Sequence, residues 1–289
     1  MHLTQYIVDF LQNNDHTLRA FSGQVAFTTH TTSTLNSYGY SPHRLSTYLS
    51  WIEQIFISDT KSQLKPFIIS ITASNPDTLR QLMLAIQHWR DKLKRNTAIA
   101  PRNPQIAVEF NTSCPNIQNA PPPSYTPSSL SPVLAVLADE FSRDPTLTLG
   151  LKLPPFVYQE QFHAILGMVE TVCLQDCPIA FFSSTNTLGN SLLYPEQVAQ
   201  DVTEYAVPTA LGGLGGELIH PLSLGNVHTI KALLSSDRYA RLHTIKVIGI
   251  GGVSSKEAAQ RMYKAGASVV GCASFFGKEG TRAFQMLSR

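Results

Sequence analysis

The sequence predicts an α/β fold: parallel strands wrapped by helices and closed into a (β/α)8, or TIM, barrel that is under-supplied at its N-terminal side. Two observations predict the sheet and a third selects the barrel. Short, continuous, β-rich apolar runs recur along the chain, and between them lie segments whose apolar residues fall three and four apart. Strands hydrophobic on both faces, alternating with amphipathic helices, describe a parallel sheet covered by helices. Polar and glycine residues follow nearly every strand, in NTSCPN, KLPP, SSTNTLGN, GIGGVSS and CASFFGKEG. Many strands contributing chemistry at one rim is the barrel arrangement, whereas a doubly wound sheet gathers it at one switch point.

Before residue 65 only QVAFTTH (24–30) has strand character, and IVDFLQ (7–12) reads equally as the start of a helix. KPFIISI (65–71) is the first convincing strand. It is followed by the helical pattern TLRQLMLAIQHWRDKL (78–93), strand QIAVEFN (105–111) and helix SPVLAVLADEFSR (131–143). LTLGLKL (147–153) and PIAFFSS (178–184) are strands flanking the helix YQEQFHAILGMVETV (158–172). The helix NVHTIKALLSS (226–236), strand TIKVIGI (244–250), helix SKEAAQRMYKAGA (255–267) and strand ASVVGCA (267–273) complete the series. Six strands are thus expected where a closed barrel needs eight. No composition break interrupts the alternation, so residues 31–289 form one barrel domain behind a divergent segment at 1–30.

Composition narrows the function classes. The 289 residues are 43% hydrophobic and 15% charged, with a formal charge of +2. A near-neutral chain without a basic patch excludes a nucleic-acid partner. No run of 18 apolar residues marks a membrane span, and the first 30 residues lack a signal-peptide layout, so a cytoplasmic protein is expected. Cys114, Cys173, Cys177 and Cys272 are too few for a disulfide framework and are expected as free thiols. Cys173 and Cys177 are spaced like half a metal site, but no His or Cys cluster supplies the other ligands, so no metal is expected.

Two kinds of rim residue carry chemistry. ALGGLGGELIHP (210–221), VIGIGGVSS and GCASFFGKEG are small-residue turns, the last two directly after the final strands. Glycine lets backbone N–H groups approach an anion, and three such turns at one rim point to a phosphate cradle. GIGGVSS lacks the spacing of a dinucleotide fingerprint. At the other kind, Asn111 and Asn116 flank Cys114 where a strand opens into the proline-rich NAPPPSYTPSS (119–129), which suits a lid. Carboxamides donate and accept at once, so they suit a planar heterocycle, and a thiol beside it is a candidate nucleophile or base. Asn186 and Thr187 repeat the theme, NSYGY (36–40) adds Asn36 and a Gly39 turn, and Lys152 ends its strand before Pro154 and Pro155. His220 and Arg282 are expected to be solvated or local.

Together NTSCPN, GLKLPP, NTLGN, GGLGG, IGIGGV and the closing KEG resemble the class 1 dihydroorotate dehydrogenases, most nearly the soluble fumarate-dependent type, over residues 30 to 289. The resemblance implies an FMN-containing barrel that oxidises dihydroorotate to orotate in pyrimidine synthesis, as a homodimer with fumarate the inherited acceptor. It implies Cys114 as the base at the substrate C5. Asn36, Tyr38, Gly39, Tyr40, Asn111, Asn116 and Asn186 would hold the pyrimidine, with Thr187 where the family usually has serine. It gives Asn111, Lys152 and Thr185 to the flavin, with Lys152 at its ring. Gly216, Gly251, Gly252, Ala273 and Ser274 go to its phosphate, Ala273 replacing a glycine. The chain departs from the family pattern early: an Ala–Ser–Gly and a Thr–Lys–Ser element are unrecognisable, and no lysine precedes Lys61. Two other readings therefore stay open: an FMN barrel for another dihydropyrimidine or an enone, and a non-catalytic relative without flavin.

Overall fold

The computed structural model describes residues 23–38, 43–60, 63–73, 75–113, 122–174 and 176–288. Among these, β1 (Val25–Phe27) and β2 (Ser33–Asn36) come first, then β3 (Phe67–Ile71), β4 (Ile106–Asn111), β5 (Thr148–Leu153) and β6 (Ile179–Ser184). β7 (Leu188–Leu192), β8 (Leu211–Gly216), β9 (Lys246–Ile250) and β10 (Val269–Gly271) follow. Six of them form a parallel sheet in the order β10-β9-β6-β5-β4-β3, and the other four an antiparallel sheet in the order β1-β2-β8-β7. The helices are α1 (Leu45–Ser58), α2 (Pro76–Arg95), α3 (Ser131–Arg143), α4 (Gln159–Glu170), α5 (His220–Leu234), α6 (Lys256–Ala265), α7 (Ser274–Glu279) and α8 (Arg282–Ser288).

Alternation along each parallel strand sorts the residues. One face carries Ile69, Val108, Phe110, Leu149, Leu151 and Leu153, all buried in the main core with Leu79, Met83 and Ile86 of α2. Each such side chain contributes roughly 1.5–3 kcal/mol on leaving water, so this layer holds the sheet to its helices. The other face is polar toward the strand ends: Ser70 donates to Glu109 at 2.7 Å across β3 and β4. Further along, Asn111 pairs in register with Lys152, and Lys152 with Ser183. Gly150 has a packing reason, because the Phe181 ring of the neighbouring strand occupies the space a Cβ would need. Local chemistry supports the helices as well. The Asn75 side chain accepts from Thr78 N at 2.9 Å to cap α2, Pro76 opens it, and Lys92, Lys94 and Arg95 close it.

The structure corrects four expectations. The described residues give an α/β fold with a six-stranded parallel sheet that ends at β3 and β10, not a closed eight-stranded barrel. The run at 24–30 does make a strand, but β1 pairs antiparallel with β2 and so adds nothing to the parallel sheet. The glycine run 212–216, expected as a turn, is the body of β8, pairing antiparallel with β2 and β7. Cys173 and Cys177, expected as thiols, are disulfide-bonded across the turn after α4, with their Cα atoms 4.1 Å apart. Helix α1 was not anticipated, its apolar residues lying between two polar loops. No described helix is long and apolar enough to cross a membrane.

One buried carboxamide ties the helical layer to the strand ends. Asn226 on α5 accepts from Phe156 N at 2.7 Å and donates to Phe156 O at 2.9 Å and Leu222 O at 3.0 Å. It stands in for a backbone partner just beyond Pro154 and Pro155. Asn226→Leu is expected to orphan both Phe156 groups and cost about 2–4 kcal/mol, read by urea unfolding. A loss below about 1 kcal/mol would mean that water satisfies them instead.

Candidate active site

The ends of β5, β6, β9 and β10 open onto one cleft with about 470 Å³ of empty space, counting that open to solvent. Lys152, Thr185, Asn186 and Thr187 line one side. Gly215, Gly216, the segment 251–254 and Ala273, Ser274 and Phe275 line the other. A larger concavity of about 810 Å³ lies beyond α4, beside Asp237, Arg238 and Arg241. It is shallow and collects none of the strand-end residues, so the chemistry belongs to the smaller cleft.

Three chain segments meet there at backbone distance. Gly216, Gly251 and Gly252 have φ of 84°, 131° and 68°, in the region where a side chain is strained. A Cβ on Gly252 would stand 2.9 Å from Gly216 O, and one on Gly216 would collide with the Thr32 carbonyl. A Cβ on Gly215 would come within 3.2 Å of Ser274 Oγ. Gly252 and Val253 are buried, and among the described residues nothing accepts a hydrogen bond from their N–H groups. A backbone donor at a buried residue that lacks a protein acceptor is satisfied by water or by a ligand.

The opposite side is a carboxamide cluster. Asn186 Nδ2 lies 3.3 Å from Asn111 Oδ1, 3.1 Å from Ser113 O and 3.0 Å from Ser113 Oγ. Its own Oδ1 accepts from Thr187 N at 2.8 Å. The backbone assists, since Asn186 N donates to Leu153 O, joining β5 to β6 at the rim. Asn36 donates to Gly213 O at 3.0 Å and stands beside Thr187 across that glycine, so it approaches the cluster from the antiparallel sheet. Tyr38 is half-buried, and burial raises its phenol. Gly39, Tyr40, Cys114 and Asn116 lie outside the described residues. Of the other expected site residues, Lys152, Thr185, Thr187, Gly216, Gly251, Gly252, Ala273 and Ser274 all line the cleft.

Sequence reasoning missed the groups that lock this arrangement. Glu217 accepts from Ser254 Oγ at 2.5 Å and from Thr32 N at 2.9 Å, joining the two sheets below the cleft. Thr34 and Ser274 share a hydrogen bond of 2.7 Å, and Thr185 and Ser223 one of 3.0 Å. Thr34 and Asn36 stand two apart on β2, a period-2 spacing that puts both on one face. Nothing in the sequence marked Glu217. His220 is buried rather than solvated, because it heads α5 beneath the Gly251 turn. Among the described residues no group of three or more His, Cys, Asp or Glu could hold a metal ion.

The family model for dihydroorotate dehydrogenase matches residues 25–289. This chain belongs to the dihydroorotate dehydrogenase family. The match takes in both sheets and every described helix. A Streptococcus agalactiae protein provisionally named dihydroorotate dehydrogenase A (fumarate) is 27% identical over 260 residues, 88% of this chain and 71% of that protein. The dihydroorotate dehydrogenases (fumarate) of Saccharomyces mikatae and Lachancea kluyveri are 31% and 30% identical. Each of those matches covers 63% of this chain and 52% of the relative.

Hydrogen bonds from Ser254 and Thr32, and beyond them the charge of Lys278, hold the Glu217 carboxyl below its usual range against the opposing effect of burial. A depressed carboxylate stabilises the fold above the ordinary Glu range, and the contribution is lost as pH falls through the lowered folded value. Glu217→Gln should therefore flatten the acid limb of the stability curve below about pH 4.5. Superimposable limbs in thermal melts of parent and variant would refute the lock.

Proposed function

We propose that this chain binds FMN in the cleft and oxidises dihydroorotate to orotate, with fumarate as the acceptor that its relatives' names carry. The observation that supports this reading is the pairing, in one cleft, of ownerless buried N–H groups at Gly252 and Val253 with Lys152 and the Asn111–Asn186 cluster. The first half suits a phosphate and the second a flat, carbonyl-edged ring. FMN fits both, as the glycine turns leave no Cβ in the cradle. Gly216, Gly251, Gly252, Ala273 and Ser274 would hold its phosphate, and Lys152, Thr185 and Asn111 its ring.

When bound, FMN supplies the acceptor for the hydride equivalent leaving the substrate C6. The residues of the chain supply the rest. Asn36, Tyr38, Gly39, Tyr40, Asn111, Asn116, Asn186 and Thr187 would orient the dihydropyrimidine. Cys114 Sγ would take the C5 proton, a role for a positioned base that contributes roughly 10²–10⁴ in rate. The same reading makes the protein a cytoplasmic homodimer with its flavin domain at residues 31–289 behind a divergent segment at 1–30.

The six-stranded sheet favours one rival, a relative that folds but holds no flavin. Purified protein separates the two. A yellow preparation with about one FMN per chain, bleached anaerobically by dihydroorotate, is the expected result; a colourless protein that takes up no added FMN sinks the proposal. Cys114→Ala should keep its flavin but lose reduction by dihydroorotate, and reduction at the parent's rate would remove the thiol from the mechanism. Lys152→Ala should weaken flavin retention, and unchanged FMN affinity would contradict that role.

A further inference from the structure

His220 joins the cleft to the helical layer through two hydrogen bonds that together fix its tautomer. Its Nδ1 lies 2.7 Å from Gly251 O, and its Nε2 lies 3.2 Å from Arg261 Nε. A carbonyl can only accept and a guanidinium can only donate. The ring therefore carries its proton on Nδ1, gives it to Gly251 O, and accepts from Arg261 at Nε2. His220 is 8% exposed, which leaves water little access to either bond.

The consequence lies on the far side of one peptide plane. In a trans peptide the C=O of one residue and the N–H of the next point in opposite directions. Drawing Gly251 O toward His220 turns the Gly252 N–H away from that ring, and both glycines line the cleft. That N–H is among the buried donors with no acceptor among the described residues. With φ of 131° and 68°, the two glycines have more backbone freedom than any other residue pair would have, so the peptide needs an external restraint to stay in one orientation. His220 also packs against the turn at the root of its side chain, since a Cβ on Gly252 would stand 2.5 Å from His220 Cβ.

We propose that His220, oriented by Arg261, is a positioning residue that presets the Gly251–Gly252 peptide for an anionic group. The inference deepens the flavin reading, in which that group is the FMN phosphate, and rests on it for the ligand's identity. His220 touches the turn and not the ligand, so its effect should follow the phosphate and spare the ring.

The test compares FMN with riboflavin, which lacks the phosphate, by fluorescence titration of the flavin-free chain. His220→Phe keeps the ring's bulk and loses the Nδ1 donor. It should weaken FMN about tenfold, the scale of one lost hydrogen-bond restraint, while riboflavin affinity changes less than about twofold. His220→Asn places an amide nitrogen where Nδ1 was and should restore most of the loss. Arg261→Leu should weaken FMN in the parent but not in the His220→Asn background, where no imidazole remains to be oriented. Equal losses for both flavins, or no rescue by asparagine, would overturn the proposal and leave His220 a packing residue. If the parent binds neither flavin, the proposed function falls and amide exchange decides the inference by itself. Inorganic phosphate should then slow exchange at Gly252 and Val253 in the parent but not in His220→Phe, and identical exchange in the two would reject it.

Discussion

The close approach of three backbone segments, at Thr32, at Gly216 and at Gly251–Gly252, is the constraint on which the rest of this molecule depends. Segments this near each other exclude a Cβ, as the collision expected between one on Gly216 and the Thr32 carbonyl makes plain. Because β8 can end against the turn before β2, the antiparallel sheet sits over the strand ends of the parallel one. Because Gly252 fits beneath Gly216 O, the loop after β9 joins the same rim. The cleft is the space left where these glycine segments face Lys152 and the carboxamides.

Polar locks convert that approach into a defined shape. Glu217 ties Thr32 to Ser254, Thr34 meets Ser274, and His220 holds Gly251 while Arg261 holds His220. Each is a short bond between elements distant in sequence, formed where burial makes an unsatisfied group costly. The aliphatic layer between sheet and helices supplies the larger share of bulk stability, and these bonds add something different. They decide orientation. A glycine-rich rim without them would sample many peptide orientations, and ordering it around a ligand would subtract from affinity.

Among the described residues, the sheet that carries the site ends at β3 and β10. Its polar inner face runs from Ser70 and Glu109 to Asn111, Lys152 and Ser183, a series of groups that a closed barrel would cover on every side. The cleft itself draws on β5, β6, β9 and β10 together with β8, and so it lies on the part of the sheet where consecutive strands are all paired. Site geometry and sheet closure are thus separable properties of this fold.

The sequence by itself determined the strands at 65–71, 105–111, 147–153, 178–184, 244–250 and 267–273, since a continuous apolar run bounded by polar turns specifies a strand buried on both faces. The helix periods between them were equally legible, as was the gathering of Lys152, Asn186 and the late glycines at one rim, because every strand of a parallel sheet ends on the same side. Only the tertiary structure decided what glycine 212–216 becomes. The residues permit a turn or a strand, and antiparallel pairing with β2 selects the strand. The same holds for the residues at 24–30, whose pairing partner is a matter of distance and not of pattern. Glu217, His220 and the disulfide of Cys173 with Cys177 were invisible for one shared reason. A charged, titratable or thiol side chain takes its role from its partner, and a linear pattern does not record how far away in space that partner lies.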